Sequence, residues 1–200
     1  MNNHTDLLNF IANKIEAETY LEVGVCNLDH NYNHIKVDEK VGVDPDPLAK
    51  APFECNSDFF FAHIHQLIET DSISFDLIFI DGLHHAEQVR KDILNAWKFL
   101  NDNGVLVLHD ANPPSEATTC VPRGRQREWC GNVFQTILQI ESPSFFTADF
   151  DYGCTIIRKT HVPLRFHDMI ISWQDFDIHR KALLNLKTSD EIKEIIESWT

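Results

Sequence analysis

The sequence predicts an α/β protein built on a mostly parallel sheet. Three observations carry that prediction. Short, near-continuous apolar runs such as "FDLIFID" and "VLVLHD" read as strands buried on both faces, as parallel sheets require. Runs with helical apolar spacing alternate with them, which is the order of βαβ units. Several of the strands end in an acid, and in an open parallel sheet ligands gather outside those carboxyl ends.

The elements follow in order. "DLLNFIANKI" sets Leu7, Leu8, Ile11 and Ile15 on one helical face, with Asp6 suited to the first turn. "TYLEVGV" is β-branched and aromatic, hence a buried strand. "KVGVDP" is a second short strand, stopped by Pro45. "DFFFAHIHQLI" is helical, with Asp58 near its start. "FDLIFID" is the third strand, and "AEQVRKDILNAWKFL" a helix with Val89, Ile93, Ala96 and Leu100 on one face. "NDNG" then breaks the chain before the strand "VLVLHD". "NVFQTILQI" is helical, "FFTADF" and "CTIIRK" are late strands, and the tail holds helices in "DIHRKALLNL" and "SDEIKEIIESW". In the last, Ser189, Asp190 and Glu191 make a favourable helix start.

Composition narrows the function. The 200 residues carry a net charge of −14, which opposes nonspecific nucleic-acid binding. The five cysteines are an odd number with no C-x-x-C pair, which argues against a disulfide framework and a thiolate zinc site and for a reducing compartment. "MNNHTDLLNF" lacks the basic and apolar regions of a signal peptide, and no apolar run approaches the roughly 20 residues that span a bilayer. A cytoplasmic enzyme is expected.

Chemistry concentrates at the strand ends. Gly24, after Glu22 and Val23, allows a close backbone approach to a ligand, but no G-x-G-x-x-G follows, which weighs against a dinucleotide. Asp44, ending the next strand, is spaced to accept hydrogen bonds from two ribose hydroxyls. Asp58, after Ser57, serves either an adenine amino group or a helix start. Asp81, His84, His109 and Asp110 come from two strand ends expected side by side. Two carboxylates with imidazole suit magnesium, manganese, calcium or a transition metal, and a nearby histidine suits a general base. The long segment "HDANPPSEATTCVPRGRQREWCGNVF" reads as a functional loop. Arg123, Arg125 and Arg127 in it suit a phosphate or carboxylate, and Trp129 suits a sugar face or an anchor to the core.

Taken in order, "YLEVGV", "VGVDPDP", "NSDFFF", "FDLIFIDGLHHAEQV", "LNDNGVLVLHDANPP" and "EWCGNVFQTI" resemble the motif series of class I S-adenosylmethionine-dependent methyltransferases. The likeness is to the small bacterial branch similar to sugar and glycan O-methyltransferases, and it runs from about residue 18 to 158. The resemblance implies a Rossmann-like three-layer αβα sandwich of about seven strands, the last antiparallel. Residues 1–160 form the methyltransferase domain, and 161–200 a helical tail packed on it or on a partner subunit. S-adenosylmethionine then meets Glu22, Gly24, Asp44, Ser57, Asp58, Asp81 and Gly82. Asp81, His109 and Asp110 hold a divalent metal, magnesium or manganese, and His84 is the catalytic base. His85, Asn112, Arg123, Arg127 and Trp129 meet the acceptor, a sugar that is nucleotide- or lipid-linked or free. Two departures stand out: His109 replaces an acid of the family pattern, and "VCNLDH" replaces the second glycine of the first motif. A metal-independent N- or carboxyl methyltransferase, a non-catalytic protein of the same fold, and a homo-oligomer all remain open.

Overall fold

A computed structural model gives the structure of the chain and describes residues 1–68 and 73–199. In chain order the elements are α1 (His4–Lys14), β1 (Thr19–Val23), β2 (Glu39–Asp44), β3 (Phe53–Glu54), α2 (Ser57–Leu67), β4 (Phe75–Ile80), α3 (Ala86–Phe99), β5 (Leu100–Leu108), α4 (Val133–Leu138), β6 (Ile140–Ser142), β7 (Phe146–Ala148), β8 (Thr155–Arg158), β9 (Arg165–Phe166), α5 (Trp173–Leu183), β10 (Leu186–Lys187) and α6 (Ser189–Glu197).

The main sheet runs β10-β7-β8-β5-β4-β1-β2-β3. β8 lies antiparallel to β5 and β7, and the other pairings are parallel. The expected count of strands is therefore short by one. β10, a two-residue strand after a helix, joins the edge beside β7 and is parallel to it, so the antiparallel strand is not the last in the chain. So short a segment carries no alternation by which a strand could be read.

Strand alternation sorts the core into two layers. Leu21, Ile78 and Leu106 face one side, where they pack with Phe60 and Ile64 of α2, Ile93 of α3, Ile137 of α4 and Phe176 of α5. Tyr20, Leu77, Phe79 and Val107 face the other, against Leu7, Leu8 and Ile11 of α1 and Ile192 and Ile196 of α6. Helices thus cover both faces of a mostly parallel sheet, which is the Rossmann-like three-layer arrangement. The segment after residue 160 contributes to both layers. Phe176 lies 4.4 Å from the Phe134 ring, and Ile192 and Ile196 are fully buried.

Two element boundaries differ from the sequence reading. "NDNG" does not break the chain: β5 starts at Leu100, directly after α3, and residues 101–104 form an irregularity inside it, where the pairing with β4 shifts register. Asn103 there takes a left-handed φ of 66°, a conformation asparagine tolerates. "NVFQTILQI" is helical only to Leu138, and Ile140–Ser142 turns into β6, paired with β9. Pro143 favours extended backbone at Ser142 and so discourages a longer helix. The helix starts agree with the sequence reading: Asp6 lies in the first turn of α1, capped by Asn3, and α6 begins at Ser189, capped by Thr188 in a reciprocal capping box with Glu191.

Register decides what the sheet presents. Val23 pairs with both Val43 and Ile80, and Ile80 pairs with Leu108. The residues that follow, Gly24, Asp44, Asp81 and His109, therefore lie side by side along one rim. Among the described residues, no helix is long and apolar enough to cross a membrane.

Candidate active site

The rim is drawn together at its centre. The Asp81 amide donates to the Val23 carbonyl at 2.8 Å, and Gly24 turns away with φ 93°. A Cβ at Gly24 would lie 2.1 Å from the Asp81 carbonyl oxygen. The close approach that glycine permits is thus to the β4 backbone. At Gly82 a Cβ would make only ordinary contacts, the nearest at 3.5 Å.

His84 occupies the middle of the cluster. Its Nε2 is 3.3 Å from Asp81 Oδ1 and its Nδ1 is 3.0 Å from Asp110 Oδ2. Nδ1 is also 3.1 Å from the Trp129 carbonyl oxygen. A carbonyl only accepts, so in neutral His84 the proton belongs on Nδ1, and Nε2 is the basic nitrogen. The Trp129 ring lies over the imidazole at 4.9 Å and 19°, held by its Nε1–H on the Cys120 carbonyl at 2.6 Å. Burial opposes protonation of His84, but the neighbouring Asp81 and Asp110 outweigh it and hold its pKa above the ordinary imidazole value.

His109 is buried beside this group. Its Nδ1 is 3.3 Å from Asp81 Oδ1 and 3.7 Å from Asp110 Oδ2. Asp81 Oδ1 and both ring nitrogens of His109 are buried with no well-directed hydrogen bond. Burial works against the Asp81 carboxylate, yet the His109 charge holds its pKa below the usual range. Asp110 takes a left-handed φ of 59°, a strained backbone that turns its carboxylate towards His84.

Two residues that support His84 carry no sequence signal. The Asn132 Oδ1 accepts from the Ala86 amide at 2.7 Å, capping α3 from the side, and the Asn132 amide donates to the His84 carbonyl at 3.1 Å. Gly131, with φ 58°, passes so close that a Cβ would lie 1.9 Å from the same carbonyl. Only the fold brings them to His84, from beyond the long loop.

The other expected residues are placed as follows. Asp44 accepts the Cys26 amide on one oxygen and the Asp46 amide on the other, each at 2.8 Å. A carboxylate has about four acceptor positions, so capacity for a diol remains. Ser57 and Asp58 start α2 and are engaged by Gln88 of α3, at 3.3 and 3.1 Å. His85 precedes α3, edge-on to Trp129. Asn112 accepts from Arg180 of α5 at 2.9 Å, tying the rim to the tail. Arg123 and Arg127 are exposed on the long loop, and the Arg123 guanidinium lies 5.6 Å from the centre of the Trp129 ring. Trp129 therefore covers the base instead of offering a free sugar platform.

Glu22 points away from the rim. It is 1% exposed and accepts from the Tyr20 hydroxyl at 2.6 Å and the Asn31 amide at 2.8 Å. Burial raises its pKa from 4.5 to about 7. The folded protein therefore keeps a proton that the unfolded chain has already lost between those values. Its stabilising contribution is complete below the unfolded pKa and lost as pH rises through the folded one, by up to about 3 kcal/mol. Glu22→Gln should retain that stability at high pH. Urea unfolding at about pH 5 and about pH 8 checks this: the fall seen in the wild type should shrink by that amount in the variant.

Two carboxylates and an imidazole from Asp81, His84 and Asp110 each bring one ligand atom within 4.8 Å of the others. With the unpaired Asp81 Oδ1 among them, these residues fit a divalent cation. The sheet thus gathers acids and imidazoles at the carboxyl ends of its strands, where open α/β sheets hold their ligands. Residues 25–111 match a family described as a methyltransferase domain. No curated protein matches the chain. Among solved structures it is similar to the O-methyltransferase TomG of Streptomyces achromogenes, involved in tomaymycin synthesis and in complex with SAM. The identity is 13%, over 78% of this chain and 79% of that one, with a TM-score of 0.51. It is also similar to a Bacillus cereus O-methyltransferase in complex with SAH (13% identity, 80% of each chain, TM-score 0.49). A third is the N-methyltransferase NodS of Bradyrhizobium japonicum (17% identity, 82% and 94% of the chains, TM-score 0.44). At these identities the likeness is one of fold.

Proposed function

We propose that this enzyme transfers the methyl group of S-adenosylmethionine to a hydroxyl of a sugar or glycan precursor, with His84 as the general base. The observation that carries this reading is an imidazole fixed at the rim with Nδ1 committed to the Trp129 carbonyl and Asp110, leaving Nε2 to take a proton. The sulfonium methyl is already activated, so the protein must align the acceptor oxygen with it and remove the hydroxyl proton. As oxygen attacks the methyl carbon and the carbon–sulfur bond breaks, the proton passes to Nε2. The resulting imidazolium lies between Asp81 and Asp110, whose charges stabilise it.

A magnesium or manganese ion held by Asp81 and Asp110, with His109 behind them, would lower the pKa of the acceptor hydroxyl. Arg123, Arg125 and Arg127 gather positive charge on the long loop of an acidic chain, which suits a phosphate-linked sugar. Asp44 is the ribose acid in this reading. Asp44→Ala should weaken S-adenosylhomocysteine binding at least about tenfold, the size expected for lost charge-assisted hydrogen bonds in a buried site. Calorimetry checks it, and unchanged affinity would remove Asp44 from the cofactor site.

Turnover of labelled S-adenosylmethionine against sugar acceptors tests the whole proposal. Activity lost in excess chelator and restored by magnesium or manganese supports the metal-assisted form. Full activity in chelator with an amine or carboxyl acceptor would instead establish the metal-independent reading. That reading has its own support, because His84 already bridges the two acids without an ion.

A further inference from the structure

Behind the rim, away from His84, a second group of ligating side chains converges from three distant segments. His4 starts α1, His109 follows β5, and Asp151 lies in the turn between β7 and β8. Asp151 Oδ2 is 2.7 Å from His4 Nδ1 and 3.8 Å from His109 Nε2. One ligand atom from each residue lies within 4.8 Å of the others. The two imidazoles meet edge to face at 4.9 Å, so their nitrogens converge on the carboxylate without the rings stacking.

The decisive feature is His109. Its side chain is 8% exposed, and neither ring nitrogen has a hydrogen bond. At 3.8 Å, Asp151 is too far from Nε2 to accept one. Buried polar atoms left this way are destabilising unless something occupies the space between them. His109 Nε2, His109 Nδ1 and Asp81 Oδ1 are all buried here without a hydrogen bond. A cation on Nε2 would give that nitrogen its partner. A metal there would leave the hydrogen on Nδ1, at ion-pair distance from Asp81 Oδ1, 3.3 Å away.

The surrounding backbone is held for the purpose. Asp151 and Tyr152 both take left-handed φ, 51° and 57°, a strained turn for residues other than glycine. Gly153 next to them lets the turn press on Asn112, where a Cβ would lie 2.5 Å from the Asn112 Cβ. The Asn112 amide donates to the Tyr152 carbonyl at 2.7 Å. The Asp151 carboxylate is in this way locked against the rim.

We propose that His4, His109 and Asp151 form a transition-metal site, of the kind that takes zinc or cobalt, separate from the acid–imidazole group at Asp81, His84 and Asp110. Two nitrogens and one carboxylate oxygen are the donor set that zinc and cobalt accept, and tetrahedral bonds of about 2.0–2.1 Å put neighbouring donors roughly 3.4 Å apart. The separations of 2.7 and 3.8 Å bracket that distance. The ion would clip the start of α1 to the rim and, through His109, set the position of Asp81.

The test uses the full chain, stripped with chelator and titrated with cobalt(II), then zinc(II). The expected result is at least one equivalent of cobalt with the visible absorption of a nitrogen–oxygen site, displaced by zinc, and a rise in thermal midpoint with zinc. His4→Ala and Asp151→Asn should each weaken cobalt binding at least about tenfold and lose the zinc-dependent rise, whereas His84→Ala should keep both. Stripped His4→Ala should melt where the stripped wild type melts, which separates lost binding from lost folding. Absence of binding to the wild type would overturn the proposal. So would binding that survives His4→Ala but not His84→Ala, which would put the ion at the rim.

Discussion

Replacing His84 by alanine is expected to abolish turnover while leaving S-adenosylhomocysteine binding intact. General-base removal commonly costs about 10²–10⁴ in rate. The upper end is expected here because Nε2 is the one nitrogen of His84 left to accept, Nδ1 being committed to the Trp129 carbonyl. Asp44, the ribose acid of the proposal, ends β2, and its hydrogen bonds go to the Cys26 and Asp46 amides. Binding and chemistry should therefore separate. His84→Ala also leaves Asp81 and Asp110 without the imidazole between them and removes the ring under Trp129, so His84→Gln serves as a control that retains a hydrogen-bonding side chain. Both should bind the product with wild-type affinity by calorimetry and show no measurable transfer. Retained activity in either would take the base assignment away from His84.

Gly24→Ala is expected to be strongly destabilising. The added carbon would meet three backbone atoms of β4 and its following turn: Asp81 O at 2.1 Å, Asp81 C at 2.4 Å and Gly82 Cα at 2.5 Å. None of these can step aside as a side chain could. The φ of 93° adds strain of its own for any residue with a Cβ. Relief requires the ends of β1 and β4 to part, breaking the hydrogen bond from the Asp81 amide to the Val23 carbonyl. A loss of at least about 3 kcal/mol should follow, which for about 200 residues lowers the melting temperature by roughly 10 °C. The same shift moves Asp81 off the rim, so cofactor affinity should fall with stability. Chemical unfolding gives the first number and titration the second. A variant within about 0.5 kcal/mol of wild type would mean that β1 and β4 do not meet as described.

The rim was legible because it rests on two short-range facts. Apolar runs of strand length are visible in the chain, and parallel register carries whatever follows them to one edge. Asp44, Asp81 and His109 could be placed together on that ground alone. Direction was harder to read than position. Glu22 alternates to the face below the sheet and is consumed by Tyr20 and Asn31. Ser57 and Asp58 are taken up by Gln88 across the α2–α3 seam. Asn112 is held by Arg180, which comes from a helix 68 positions further on. In each case the partner is set by packing between elements, which spacing along one element does not reveal. His4 and Asp151 lay out of reach for the same reason. They are 147 positions apart, each in a segment whose local pattern is that of a helix start or a turn. Gly131 and Asn132 support His84 from beyond a long loop, whose path follows from contacts and not from periodicity.

The measurement that tests the central claim most directly is a calorimetric titration of S-adenosylhomocysteine into the purified protein, with and without magnesium or manganese. The account predicts a single site with a dissociation constant on the order of 1 μM. It also predicts that Asp44→Ala weakens this site and that His84→Ala does not. Absence of binding under every condition would contradict the account, because the rim would then serve some other ligand.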